Sequence, residues 1–287
     1  MTIEIARPVF PYVANLPRFL QDIDASIGGE VDVLAESPGM FNMAFLGTLT
    51  RVYAHSIADP AADKFETWDA WVTAMQVGSA LFAAAVAPLG TTVACRINHE
   101  VRAIPATGAQ YFTDAGNWLT AFWLAVICRD QGRMSQLCRV PLSLLRDSGA
   151  EYDEYIYSWV DALQSYWTGR PGMADKLIAA FEGADPAVAR APRDLLLMIL
   201  SAPIDLFYRF VRRDPEQINS SLVQALQLHK EYWTADEDRL SDVDGFVALG
   251  PLAIACLAYD AGHPINVQSE YLPEHLLKRS WLGEFPT

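Results

Sequence analysis

Apolar positions recur three and four residues apart along most of this chain, the spacing of amphipathic helices. In residues 12–27, Leu16, Phe19, Leu20, Ile23 and Ile27 share one stripe, and the Gly28-Gly29 pair predicts its end. Residues 39–57 predict a second helix, with Phe41, Phe45, Leu49, Val52 and Tyr53 inward and a stop before Asp59-Pro60. The next segment, 65–86 (FETWDAWVTAMQVGSALFAAAV), is apolar on every side. Trp68, Trp71, Val72, Met75 and Phe82 take one face, and Ala70, Ala74, Val77, Leu81 and Ala84 the other. A helix of that kind is buried. Asp63 and Glu66 have capping-box spacing before it. Residues 70–95 carry no charge and are long enough to span a bilayer. Their alanine content, Gln76, Gly78, Pro88 and Gly90, and the acids Glu66 and Asp69 where cationic anchors would stand, favour a buried core helix over a membrane span.

The period then changes. Residues 91–97 and 100–104 alternate around Asn98-His99, which predicts one short β-hairpin over 91–104, although His99 suits a tight turn less well than glycine. Helical spacing returns from Asp114, with Trp118, Leu119, Phe122, Trp123, Val126 and Ile127 on a wide face and Gly132 as the expected end. Residues 133–147 predict a helix broken near Pro141, and residues 151–168 a strongly amphipathic one ended by Gly169. A partner helix follows over 172–182, then a helix over 192–212 kinked at Pro203. Asp214-Pro215 is an N-cap followed by proline at the first helical position, and that helix runs to Trp233. An acidic connector, Asp236–Asp244, leads to an all-round apolar helix over 245–261, and a short helix is expected near Pro273–Lys278. The expected fold is predominantly all-α: a multi-helix bundle or irregular helical-hairpin solenoid with one β-hairpin. No Ser/Gly/Pro-rich linker divides it, so residues 1–287 read as a single domain. Trp68, Trp71, Trp118, Trp123 and Trp159 all fall on apolar stripes and are expected in the core.

Apolar residues make up 52% of the chain, which excludes disorder. A net charge of −14 argues against nucleic acid or anionic lipid as direct ligand, since both require Lys and Arg, and favours a basic partner. Cys95, Cys128, Cys138 and Cys256 have no metal or redox spacing. The opening MTIEIARPVFPYVANLPRF has no signal-peptide pattern, so reduced thiols in a cytoplasm are expected. The histidines His55, His99, His229, His263 and His275 form no H-E-x-x-H, and His229 sits on the stripe of Leu222 and Leu226 as a core or edge residue. Phosphate-binding, dinucleotide and nucleophile-elbow motifs are missing. No catalytic residue, metal or cofactor is expected. Two acidic clusters stand out as binding candidates. One is Asp236, Glu237, Asp238, Asp242 and Asp244 beside Tyr232 and Trp233; the other is Asp147, Glu151, Asp153 and Glu154. Solvated loop and helix-end charges explain the same residues without a partner.

The segments WDAWVTAMQVGSALFAAA (68–85), GNWLTAFWLAVICRDQGR (116–133), LQLHKEYW (226–233), GFVALGPLAIACLAYDAG (245–262) and YLPEHLLKRSWLGEFPT (271–287) carry a family likeness. The sequence resembles the immunity protein 49 family of bacterial polymorphic toxin systems over most of its length. The resemblance implies a small cytosolic helical protein encoded beside a toxin, which binds and neutralises that toxin without catalysis. A different reading, a tetratricopeptide-like adaptor binding other proteins, rests on Trp159, Ala162, Tyr166, Gly169 and Pro186, but no second copy follows at a fixed period.

Overall fold

The computed structural model describes residues 2–283, so the last four residues of the 271–287 segment lie outside the described residues. A two-residue strand β1 (Ile3–Glu4) precedes α1 (Leu16–Asp32), α2 (Phe41–Ala58) and α3 (Phe65–Val86). The hairpin of β2 (Thr92–Ile97) and β3 (Glu100–Pro105) follows. Next come α4 (Ala115–Ile127), α5 (Gln131–Leu137), α6 (Leu142–Arg146), α7 (Glu154–Thr168) and α8 (Met173–Gly183). The turn α9 (Arg193–Leu195) runs into a π-helical turn (Leu196–Leu200), α10 (Ala202–Val211), α11 (Pro215–Trp233) and α12 (Glu237–Leu240). The chain closes with α13 (Leu249–Asp260), β4 (Val267–Gln268) and α14 (Glu274–Leu277). The fold is predominantly all-α, as the periodicity predicts.

Helix α3 is the centre. Helices α2 and α4 and strand β2 pack around it, and Trp71, Ala74, Met75, Val77 and Leu81 have no measurable exposure. Most of the buried apolar residues form one contiguous cluster from Ile5 to Leu277. All five core tryptophans expected from the sequence are buried in it. The first and last segments meet: β1 pairs in parallel with β4, Ile3 opposite Val267 and Glu4 opposite Gln268, and Ser269 Oγ donates to the Ile5 carbonyl. Nearby, the Arg7 guanidinium donates to the carbonyls of Ser56 and Phe246.

Several element ends differ from expectation, each for an identifiable physical reason. Helix α1 continues through Gly28 and Gly29 to Asp32, because glycine only weakens a helix and Val31 and Leu34 are pulled into the core. Helix α3 is not capped by Asp63. Ala62 adopts φ +55°, which turns the chain so that Asp59 receives the N–H of Lys64 (3.0 Å) and the Thr67 hydroxyl (2.6 Å). Gly132 lies inside α5; the preceding helix already stops at Ile127, with Arg129 left-handed at φ +57°. The 192–212 helix is three pieces rather than one kinked rod. Ser201 N–H reaches back five residues to the Leu196 carbonyl, and Pro203 opens α10 where no N–H is required. Residues 243–246 form a 3₁₀ turn, so the last long helix begins at Leu249 rather than Gly245.

The hairpin is present, with both Asn98 (φ +49°) and His99 (φ +65°) left-handed. Helix α3 stabilises this turn. Asn98 N–H donates to Gln76 Oε1 (2.9 Å), and His99 Nε2 donates to Asp69 Oδ1 (2.8 Å). The same Asp69 takes the buried Arg51 guanidinium (3.0 Å), which also binds Asp24 (2.6 Å), while His55 reaches Asp24 at 3.0 Å. Burial alone would raise the Asp24 carboxyl, but hydrogen bonds from Arg51 and His55 bring it below its ordinary value. One charge network thus joins α1, α2, α3 and the hairpin.

Two glycine substitutions should move stability in opposite directions. A Cβ at Gly78 would stand 2.8 Å from the fully buried Phe45 ring and 3.0 Å from Ala121, so Gly78→Ala should destabilise by about 1–3 kcal/mol from overpacking. Its gain of about 1 kcal/mol in helix propensity offsets only part of that. A Cβ at Gly28 meets nothing within 4 Å, so Gly28→Ala should stabilise by about 0.5–1 kcal/mol. Urea denaturation midpoints of both variants measure this; a stabilised Gly78→Ala protein would mean that α2 and α3 do not approach as described.

Candidate functional site

The expected binding residues fall at two places. At the C-terminus of α11, the Tyr232 ring carries the Arg239 guanidinium 4.0 Å from its centroid. Trp233 is half-buried and lies over Gly245, where an added Cβ would meet the indole at 2.9 Å. Trp233 is therefore partly structural, and Gly245 is the residue that lets the ring approach.

The connector that follows is not a loose loop. Asp236 accepts the Arg239 N–H (2.8 Å) and caps α12; Asp242 accepts the Asp244 N–H (3.0 Å) and caps the 3₁₀ turn. Arg239 binds Asp194 at 2.7 Å and Asp236 at 3.4 Å. Its hydrogen bond holds the Asp194 carboxyl below the ordinary range. What remains for a partner is Glu237 and Asp238, both exposed, with no ion-pair partner among the described residues.

Asp244 is different again. Partial enclosure of its carboxyl, and then the Asp242 carboxylate, push it up to about 6, although the residue as a whole is exposed and solvent screens part of the effect. Its chain neighbour Gly245 accepts a hydrogen bond from His229 Nε2 at 2.9 Å. Burial holds the His229 imidazole down to about 4, so it is a neutral core histidine at neutral pH.

The second cluster is also paired by tertiary structure. Asp153 Oδ2 accepts the N–H groups of Arg190 (2.9 Å) and Ala191 (3.3 Å). The Arg190 side chain lies 3.6 Å from Glu151 and 3.7 Å from Asp153. Arg146 binds Glu154 at 3.0 Å and covers the Tyr157 ring at 3.8 Å. Asp147 is exposed and has no ion-pair partner among the described residues. Sequence spacing could not show these pairings: Arg190 is 37 residues from Asp153, and Asp194 is 45 from Arg239.

No group of three or more His, Cys, Asp or Glu among the described residues is placed to hold a metal ion. Burial pushes the Cys138 thiol up to about 12 and Cys256 to about 11, so both are protonated and poorly nucleophilic. Cys128, fully enclosed, is raised too. The geometry at both clusters offers charged and aromatic contact surface.

A family model described as immunity protein 49 matches residues 59–276, from the end of α2 to α14. No curated protein and no solved structure matches the chain.

His229 and Asp244 should act on stability in opposite senses. A histidine with its folded value near 4 makes the native state lose stability as pH falls from 6.5 toward 4. An aspartate with its folded value near 6 makes the native state gain stability as pH falls from 6 toward 3.8. Asp244→Asn removes the second effect. The variant should therefore be more stable than wild type at pH 7 and should lose stability more steeply on acidification. Denaturation midpoints from pH 4 to 7 test this; parallel curves for the two proteins would remove Asp244 from the account.

Proposed function

Because this chain belongs to the immunity protein 49 family, we propose that it binds a cognate polymorphic toxin in the cytoplasm and neutralises it by steric block through an acidic surface. The family match carries the reading. The charge of −14, the acids Glu237, Asp238 and Asp147, which have no ion-pair partner among the described residues, and the inert buried thiols support it. The expected partner is a basic protein, and inhibition comes from occupancy rather than from chemistry on the toxin.

Charge at such a surface acts mainly on encounter. Exposed acids raise the association rate with a cationic partner, and salt screens the effect as the Debye length falls from about 10 Å at 0.1 M to 3 Å at 1 M. Asp236 is the wrong residue to test, because it caps α12 and its removal would cost about 1 kcal/mol of local stability. Glu237 and Asp238 have no such duty.

The purified toxin domain encoded beside this gene should bind the protein tightly and lose its activity in proportion to occupancy. The Glu237→Lys, Asp238→Lys double variant should associate roughly tenfold more slowly at low salt, with an unchanged melting temperature. Stopped-flow association and a toxicity-rescue assay in cells measure both. Wild-type protein that neither binds the toxin nor protects cells would end this reading.

A further inference from the structure

We infer that the two acidic clusters are opposite flanks of one docking surface, whose apolar centre is the segment Leu195–Leu200, and that it receives a toxin segment that is apolar with lysine or arginine on both sides. This rests on the toxin-binding reading above.

The centre is the least expected part. Residues 195–200 read LLLMIL, yet only Leu196 is buried; Leu197 is 38% exposed and the other four are half-buried. The run packs on α11, and Leu200 touches the core, yet five of its six apolar residues still present surface to water. The backbone contributes to this. The π turn widens the helix by one residue, so side chains that an α-helix would stack on one face spread around the segment. Beside it opens a cleft of about 370 Å³, with Leu119, Ile156, Leu195 and Leu200 among its apolar walls and Glu151, Asp153 and Arg190 among its charged ones.

Both clusters attach to this segment. On one side Asp153 accepts the N–H groups of Arg190 and Ala191. On the other, Asp194 binds Arg239 of α12 at 2.7 Å, which brings Glu237 and Asp238 alongside. Arg190 and Asp194 are four residues apart, at most roughly 14 Å of chain. Clusters far apart in sequence therefore meet across a few residues, with the apolar run following directly. An apolar centre inside a polar rim is the anatomy of a protein interface.

Charge selects the occupant. Asp147, Glu237 and Asp238 have no ion-pair partner among the described residues. The Arg190 side chain is 76% exposed and sits at 3.6–3.7 Å from its two acids, so a partner's cation can take its place. An anionic segment would meet repulsion on both flanks, and a wholly apolar one would leave these acids unsatisfied.

Three variants test the arrangement against the purified toxin domain encoded beside this gene: Leu197→Arg at the centre, Glu151→Lys on one flank, and Glu237→Lys with Asp238→Lys on the other. Each should weaken binding about tenfold or more at low salt. Hydrogen exchange on the wild-type complex should show new protection across 147–154, 190–200 and 237–240. That measurement needs no variant and decides the matter if Leu197→Arg fails to fold. Wild-type affinity in any of the three folded variants, or protection of one flank without 195–200, would overturn the single surface while leaving toxin binding intact. Absence of binding by the wild-type protein would instead overturn the function on which it rests.

Discussion

Burying α3 on every side is the constraint from which the rest of the structure follows. Inside a helix with no solvent-facing stripe, each polar side chain must be met by a neighbouring element. Thr67 is met by Asp59, Trp71 Nε1 by the Ser56 hydroxyl at 3.3 Å, and Gln76 by the hairpin turn. Ser79 donates to the carbonyl of Met75 within the helix itself. Asp69 is the most demanding, since a lone carboxylate facing the interior would be costly; Arg51 and His99 both bind it. The positions of α2 and the hairpin are thus set by the polar requirements of α3 as much as by apolar packing. The match is not complete. Among the described residues, Trp68 Nε1, Thr73 Oγ1 and Gln76 Nε2 of α3, and Arg51 Nη1 beside it, have no hydrogen-bond partner, each at a cost of about 1–3 kcal/mol.

The same competition governs the acidic residues. Acids needed to cap short helices or hold a returning segment are consumed by the fold: Asp59, Asp153, Asp236 and Asp242 all receive backbone N–H groups. Acids left outside that duty keep their charge available. Two neighbouring acids in one run of sequence, Asp236 and Glu237, consequently differ in kind: one is a structural acceptor and the other a surface charge.

Much of the fold was legible because its signals are local. The period of α7, the Asp214-Pro215 start of α11 and the left-handed Gly169 after α7 each involve residues within one or two turns. Misplaced ends had tertiary causes. Nothing near Gly28 announces that Val31 and Leu34 will be buried, and nothing near Asp63 announces that Asp59 will turn back to the helix. At the candidate site, the acids and the Tyr232–Trp233 pair were readable from sequence, but Arg190 and Asp194 were not. Their relation to the acids exists only after the chain has folded. The run at 195–200 looked like ordinary helix interior, because apolar residues in sequence do not say which of them the core will accept.

The pairing of β1 with β4 sets an order in time. Ile5 leaves the ribosome 264 residues before Ser269, whose hydroxyl it accepts. At synthesis rates of about 5–20 residues per second, residues 3–5 wait for roughly tens of seconds without their partner strand. The hydrogen bond from Arg7 to the Phe246 carbonyl waits too, because that carbonyl is also made late, whereas its bond to Ser56 does not. Helices α1 to α3 can close around their charge network long before then. Docking of the amino-terminal strand is consequently a completion step, reached only by chains translated past Gln268. A chain that stalls earlier leaves residues 3–5 without the strand they pair with in the finished fold.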